Sequence, residues 1–79
     1  MCTVKAHMSG IFHFTDGTIQ KVSVGDFIKI GQIVGFIEVA EVNNAVISSC
    51  EGEIEEIVVE EDEPIEDSNI LIAFLIEPK

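Results

Sequence analysis

A chain of 79 residues makes a single domain, and at that size only about 60% of the unfolded surface becomes buried, so every apolar run has to serve the core. Val and Ile dominate the apolar residues while Tyr and Trp are absent, a balance that favours strands over helices. Four basic against fifteen acidic residues give a net charge of −11, which repels nucleic-acid phosphates and anionic lipid headgroups and excludes both as expected partners.

In chain order, apolar or alternating segments fall at Thr3–Ala6, Ile11–Phe14, Thr18–Val22, Ile28–Ile30 and Ile33–Val39, then at Ala45–Ser48, Gly52–Val59 and Ile70–Ile76. Turn chemistry separates them at Asp16-Gly17, Gly25-Asp26, Gly31-Gln32, Asp62–Pro64 and Asp67–Asn69. No window holds the i, i+3, i+4 stripe of a helix, and the pattern predicts about eight short strands. Within "GFIEVAEVNNAVI" the strands Gly35–Val39 and Val42–Ile47 meet at a polar junction without glycine. The acidic run "EGEIEEIVVEEDEPIED" reads as a solvated face. No apolar run approaches the length of a membrane span.

The two halves resemble each other. "VGDFIKIGQIV" from Val24 aligns with "EDEPIEDSNIL" from Glu61 at an offset of 37, placing Gly25 on Asp62, Ile28 on Ile65, Gly31 on Ser68 and Gln32 on Asn69. "SGI" at Ser9 aligns with "EGE" at Glu51 at an offset of 42, so the first half carries five extra residues between Gly10 and Gly25. A four-strand unit too small to bury its own face is therefore duplicated and packed on its copy. The expected architecture is all-β, a flattened antiparallel barrel or sandwich of two four-stranded sheets with quasi-twofold symmetry. The junction at 39–43 becomes an exposed hairpin tip joining the halves.

Cys2 and Cys50 could pair in principle, yet two cysteines are too few for a disulfide framework and no signal peptide is evident, so a reducing cytoplasm is expected. Cys50 reads as a small residue at the edge of the core. His7 and His13 are six apart with no Cys or carboxylate cluster nearby in sequence, and two histidines do not close a zinc site, so no metal is expected. Nor do Cys50, His7 and His13 carry a motif pairing a nucleophile with a base, so no catalytic residue is assigned and the chain is expected not to be an enzyme.

The segments "MSGIF", "VSVGDFIKIGQIVGFIE" and "NNAVISSCEGEIEEIVVEEDEPIE" resemble the biotinyl domain of biotin carboxyl carrier proteins, over residues 4–76. The register holds without a gap from Val24 to Phe74, with "VGD", "GQ", "IE", Asn44, Gly52 and the Pro-Ile-Glu of 64–66 in the family's places. The resemblance implies a flattened barrel of the biotinyl/lipoyl type as one domain over 1–79. The extra residues, within "FHFTDGTIQK" at 12–21, fall where the acetyl-CoA carboxylase subgroup carries a thumb-like insertion.

In that family the tip reads Ala-Met-Lys-Met or Ala-Met-Lys-Leu, and biotin acylates the lysine. Here the window is Val39-Ala40-Glu41-Val42-Asn43, with Glu41 at the lysine position. Attachment requires an amine that attacks an activated biotin carboxyl group to form an amide, which a carboxylate cannot do. The flanking methionines, which the family's ligases read, are replaced by Ala40 and Val42. Lys5, Lys21, Lys29 and Lys79 all lie off the tip, so no cofactor is expected.

The expected function is a non-biotinylated, carrier-like binding module, a structural or regulatory partner of acetyl-CoA carboxylase in fatty-acid synthesis. Its partners would be biotin carboxylase or biotinylated carrier subunits, met by residues Val39 to Asn43, where an acidic tip suits a basic surface. One alternative is a working biotin carrier with an atypical attachment tip. Another is a structural adaptor of the biotinyl/lipoyl type.

Overall fold

The computed structural model describes residues 2–66 and 71–76. Eight strands occur among them: β1 (Cys2–Lys5), β2 (Gly10–His13), β3 (Phe27–Ile28), β4 (Ile33–Val39), β5 (Val42–Ile47), β6 (Gly52–Ile57), β7 (Pro64–Ile65) and β8 (Leu71–Ile76). They form two antiparallel four-stranded sheets, ordered β1-β8-β6-β3 and β5-β4-β2-β7. No helix is found among the described residues, and so none long and apolar enough to cross a membrane.

The repeat in the sequence is the symmetry of the fold. Shifting the first half by its offsets carries β1 onto β5, β2 onto β6, β3 onto β7 and β4 onto β8, and turns one sheet order into the other. The correspondence reaches single hydrogen bonds. Gly25 N–H donates to Ile54 O and Ile54 N–H to Asp26 O; in the copy, Asp62 N–H donates to Phe12 O and Phe12 N–H to Glu63 O. Gly25 and Asp62 both hold positive φ, 96° and 64°, and Ile28 and Ile65 are both fully buried.

The core lies between the sheets and is filled by alternate residues of their inner faces. In β2, Phe12 is fully buried between the exposed Ile11 and the half-buried His13. Phe12 stands edge-on to Phe14 with ring centroids 4.9 Å apart. Gly35 of β4 makes room for that ring: a Cβ there would sit 2.6 Å from Phe12 Cζ. Phe12, Ile28, Ile37, Val46, Ile54 and Ile65 form the centre of the core.

Three expectations are corrected. Thr18–Val22 is not a strand. Its neighbourhood folds on its own side chains, with Thr15 Oγ1 donating to Ile19 O, Gly17 N–H to Thr15 Oγ1 and Thr18 N–H to Asp16 Oδ1, and such local bonds compete with a ladder. Lys21 instead lies over the Phe14 ring, 4.5 Å from its centroid. Second, Pro64, read as the end of the turn Asp62–Pro64, opens a two-residue strand, Pro64–Ile65, paired with β2 at the sheet edge, where a proline is tolerated because its missing N–H faces outward. Third, Cys2 and Cys50 are joined as a disulfide, although both also pack half-buried against the core as a core-edge residue would. Ser48, buried beneath, donates its hydroxyl to Cys50 O at 2.6 Å and fixes that loop. The expected turn Asp67–Asn69, and the aligned pairs Gly31/Ser68 and Gln32/Asn69, lie outside the described residues on their second-half side.

Candidate functional site

The junction that joins the halves is a two-residue hairpin turn. Ala40 and Glu41 take φ of 51° and 67°, the primed geometry that matches the twist of the flanking strands and that Asn-Gly usually supplies. Side chains other than glycine are disfavoured there by roughly 1–2 kcal/mol per residue, so the ladder beneath must impose the turn. That ladder runs from Phe36↔Ala45 to Val39↔Val42 without a shift. Asn44 braces it, its Nδ2 donating to Ile37 O and Val42 O, both at 3.2 Å.

Gly10, at the start of β2, lets the base of the tip close. A Cβ at this position would lie 2.5 Å from Glu38 O and 2.6 Å from Ile37 Cγ2. The result is a firm finger that presents Glu41 between two exposed apolar side chains, Val39 at 42% and Val42 at 59% exposure. The residues expected together at the tip are therefore together. Lys5 lies on β1, and Lys21 and Lys29 lie in the connections after β2 and β3, so none of the three belongs to the β4–β5 hairpin; Lys79 lies outside the described residues.

A second constellation was not foreseen. His13, read as lacking neighbouring carboxylates, is held by three of them across the fold, because antiparallel pairing places β2 between β4 and β7. Its Nε2 meets Glu38 Oε1 at 2.8 Å, and its Nδ1 meets Glu61 Oε2 at 2.6 Å and Asp62 Oδ1 at 3.3 Å. Glu61 Oε1 accepts the Phe14 N–H at 2.8 Å. A neutral imidazole has one N–H, so carboxylates within hydrogen-bond distance of both nitrogens favour the doubly protonated ring. Hydrogen bonds to Glu61 and then Glu38 raise the His13 pKa above the ordinary imidazole value, against a smaller opposing effect of burial. The Phe14 N–H and then His13 hold Glu61 below the usual carboxylate range.

His7 is exposed in the connection between β1 and β2. The partners of His13 lie 25 to 49 positions away in sequence, so only the strand order could have pointed to them.

The urea carboxylase of Kluyveromyces lactis is similar in structure, with a TM-score of 0.76 and 20% identity over 95% of this chain. That likeness is one of fold, and this chain spans 6% of the length of that one. No curated protein matches the sequence. Residues 2–74 match the family described as biotin-requiring enzyme, with a biotin/lipoyl domain. With nearly the whole chain matched, its repeat realised as two symmetric sheets and a firm hairpin at their junction, the protein belongs to the biotin/lipoyl domain family of biotin-requiring enzymes.

Proposed function

We propose that this biotin/lipoyl domain acts as a non-biotinylated module that docks on the subunits of a biotin-dependent carboxylase, acetyl-CoA carboxylase by preference. The observation that carries the reading is Glu41. A two-residue turn presents Glu41, which the sequence resemblance aligns with the acceptor amine of biotin carboxyl carriers, and a carboxylate cannot attack an activated acyl group. The scaffold around it is kept: the symmetric sheets, the brace by Asn44 and the close approach at Gly10. The segment from Gly10 to Gly25, five residues longer than its copy from Gly52 to Asp62, supports the acetyl-CoA carboxylase subgroup.

In this reading the tip residues Val39, Ala40, Glu41, Val42 and Asn43 enter the cleft that receives a carrier. Val39 and Val42 supply apolar contact and Glu41 pairs with a basic group there. The domain would thereby occupy a carrier's place and lower or organise carboxylation, without performing chemistry itself. No cofactor is required.

The test joins two measurements on the chain purified from its native cells. Intact mass with an avidin-shift assay should give the unmodified chain, and immobilised protein should retain biotin carboxylase or the biotinylated carrier. A biotin adduct would favour the working carrier with an atypical attachment site, and peptide mapping would locate the lysine. An unmodified chain that retains neither partner would favour a structural adaptor.

A further inference from the structure

We propose that His13, Glu61 and Asp62 form a site for one divalent transition-metal ion of the zinc type, at the edge of the β2–β7 pair.

The donor atoms of these three residues all lie within 4.8 Å of one another. An ion bound at about 2.0–2.2 Å by nitrogen and oxygen ligands holds its donors within about 4.4 Å of each other, so small side-chain movements suffice. Asp62, with its side chain 75% exposed, can make them, and Glu61, 47% exposed, can turn Oε2 about the Oε1 that the Phe14 N–H holds, while the His13 ring is 19% exposed. An imidazole with carboxylates, its remaining positions open to water, suits zinc and its neighbours.

The surrounding bonds set the ligands. Glu38 Oε1 faces Nε2 at 2.8 Å and would keep a proton there when Nδ1 gives up its own, leaving the Nδ1 lone pair facing Glu61 and Asp62. A carboxylate behind a ligating histidine is how such rings are commonly oriented. The Phe14 N–H occupies Glu61 Oε1 and leaves Oε2 for the ion. The carboxylates of Glu38, Glu61 and Asp62 surround the ring, and Lys21 acts on Glu61 beside the imidazole.

An independent indication comes from the symmetry. The offsets that map one half on the other place Val24 opposite Glu61, Gly25 opposite Asp62 and Glu55 opposite His13. The copy thus builds the same turn, with the same backbone bonds, without this cluster. Gly25 and Asp62 are both residue types that tolerate the positive φ there, and the copy meets it without a carboxylate. Neither the turn nor the sheet calls for an imidazole and two carboxylates at this place.

Binding exchanges one ion for one proton. The imidazolium releases its Nδ1 proton to the buffer, and the nitrogen lone pair takes the metal beside the carboxylate oxygens of Glu61 and Asp62. Affinity therefore rises with pH until His13 is neutral.

The test is calorimetric titration of the oxidised chain with zinc chloride, in two buffers of different ionisation enthalpy, at several pH values. We expect saturation at one ion per chain, release of close to one proton on the acid side, and binding at least about tenfold weaker in His13→Gln and in Asp62→Asn. Asn tolerates positive φ, so Asp62→Asn keeps the fold, which circular dichroism checks; His7→Gln should leave affinity unchanged. Affinity unchanged from the native chain in His13→Gln and Asp62→Asn, or a titration that does not saturate and is displaced by magnesium, would overturn the site and assign the binding to the acidic surface at large.

Discussion

The β4–β5 ladder and its symmetry mate, the β1–β8 ladder, solve one problem in different ways. The first is closed by the Ala40-Glu41 turn and braced by Asn44. The second joins the first and last strands, which no turn connects. The residue that the offset of 42 places on Asn44 is Cys2, bonded to Cys50. Equivalent positions thus carry an amide brace where the chain is continuous and a covalent staple where it is not. Weak bonds suffice to hold strands that a short turn already keeps together; strands brought together from opposite ends of the chain face a much larger loop entropy.

That contrast fixes the largest expected effect. Loop entropy for a crosslink spanning 48 residues is about 4 kcal/mol at 25 °C. Cys50→Ser, or reduction of the native chain, should lower the urea midpoint accordingly. An unchanged midpoint on reduction would mean that β1–β8 pairing holds that end without the staple.

At the tip, Gly10→Ala should be the most damaging substitution, because its Cβ would meet the backbone oxygen of Glu38 rather than a side chain that can turn aside. A loss of about 1–3 kcal/mol is expected, visible in thermal unfolding. Asn44→Ala removes two bonds of 3.2 Å and should cost about 1 kcal/mol, well below the Cys50→Ser effect. Equal losses for Asn44→Ala and Cys50→Ser would erase the distinction between brace and staple.

The His13 cluster ties β2 to β4 and to the turn before β7, and its contribution should follow pH. The His13 pKa is raised on folding, so its stabilisation is complete below the unfolded imidazole value, about 6.5, and is lost as pH rises through the folded value. The Glu61 pKa is lowered, so its contribution is complete above the unfolded carboxylate value, about 4.3, and is lost as pH falls through the folded one. Stability from this cluster should be greatest between those limits. His13→Gln should flatten the alkaline side of the profile, measured as urea midpoint against pH with chelator present.

Much of this fold is legible in the sequence because a repeat is a pattern of spacing. The match of Ile28 with Ile65 and Gly25 with Asp62 contains the symmetry before any coordinate is known. It also contains the strand at Pro64–Ile65, which local turn chemistry conceals. Thr18–Val22 misleads because alternation predicts a strand only where a partner edge is available; here Thr15 and Asp16 satisfy the backbone locally. The tip was legible as a position, since it falls between the two copies. The His13 cluster was not, because its members meet only through strand order and register.

The smallest stability effect belongs to the residue on which the proposed function rests. Glu41 is exposed and its carboxylate makes no hydrogen bond or ion pair among the described residues, so Glu41→Lys should change stability by about 0.5 kcal/mol or less. The turn should survive, since it is imposed by the ladder from Phe36 to Val39 rather than by the side chain at 41. A biotin ligase should nevertheless label this variant poorly, because Ala40 and Val42 still stand where carriers have methionine. Restoring them, in Ala40→Met and Val42→Met on the Glu41→Lys background, should raise labelling strongly, read by avidin shift. Full labelling of the single variant would mean that the scaffold alone directs the ligase, and that Glu41 by itself separates this domain from a carrier.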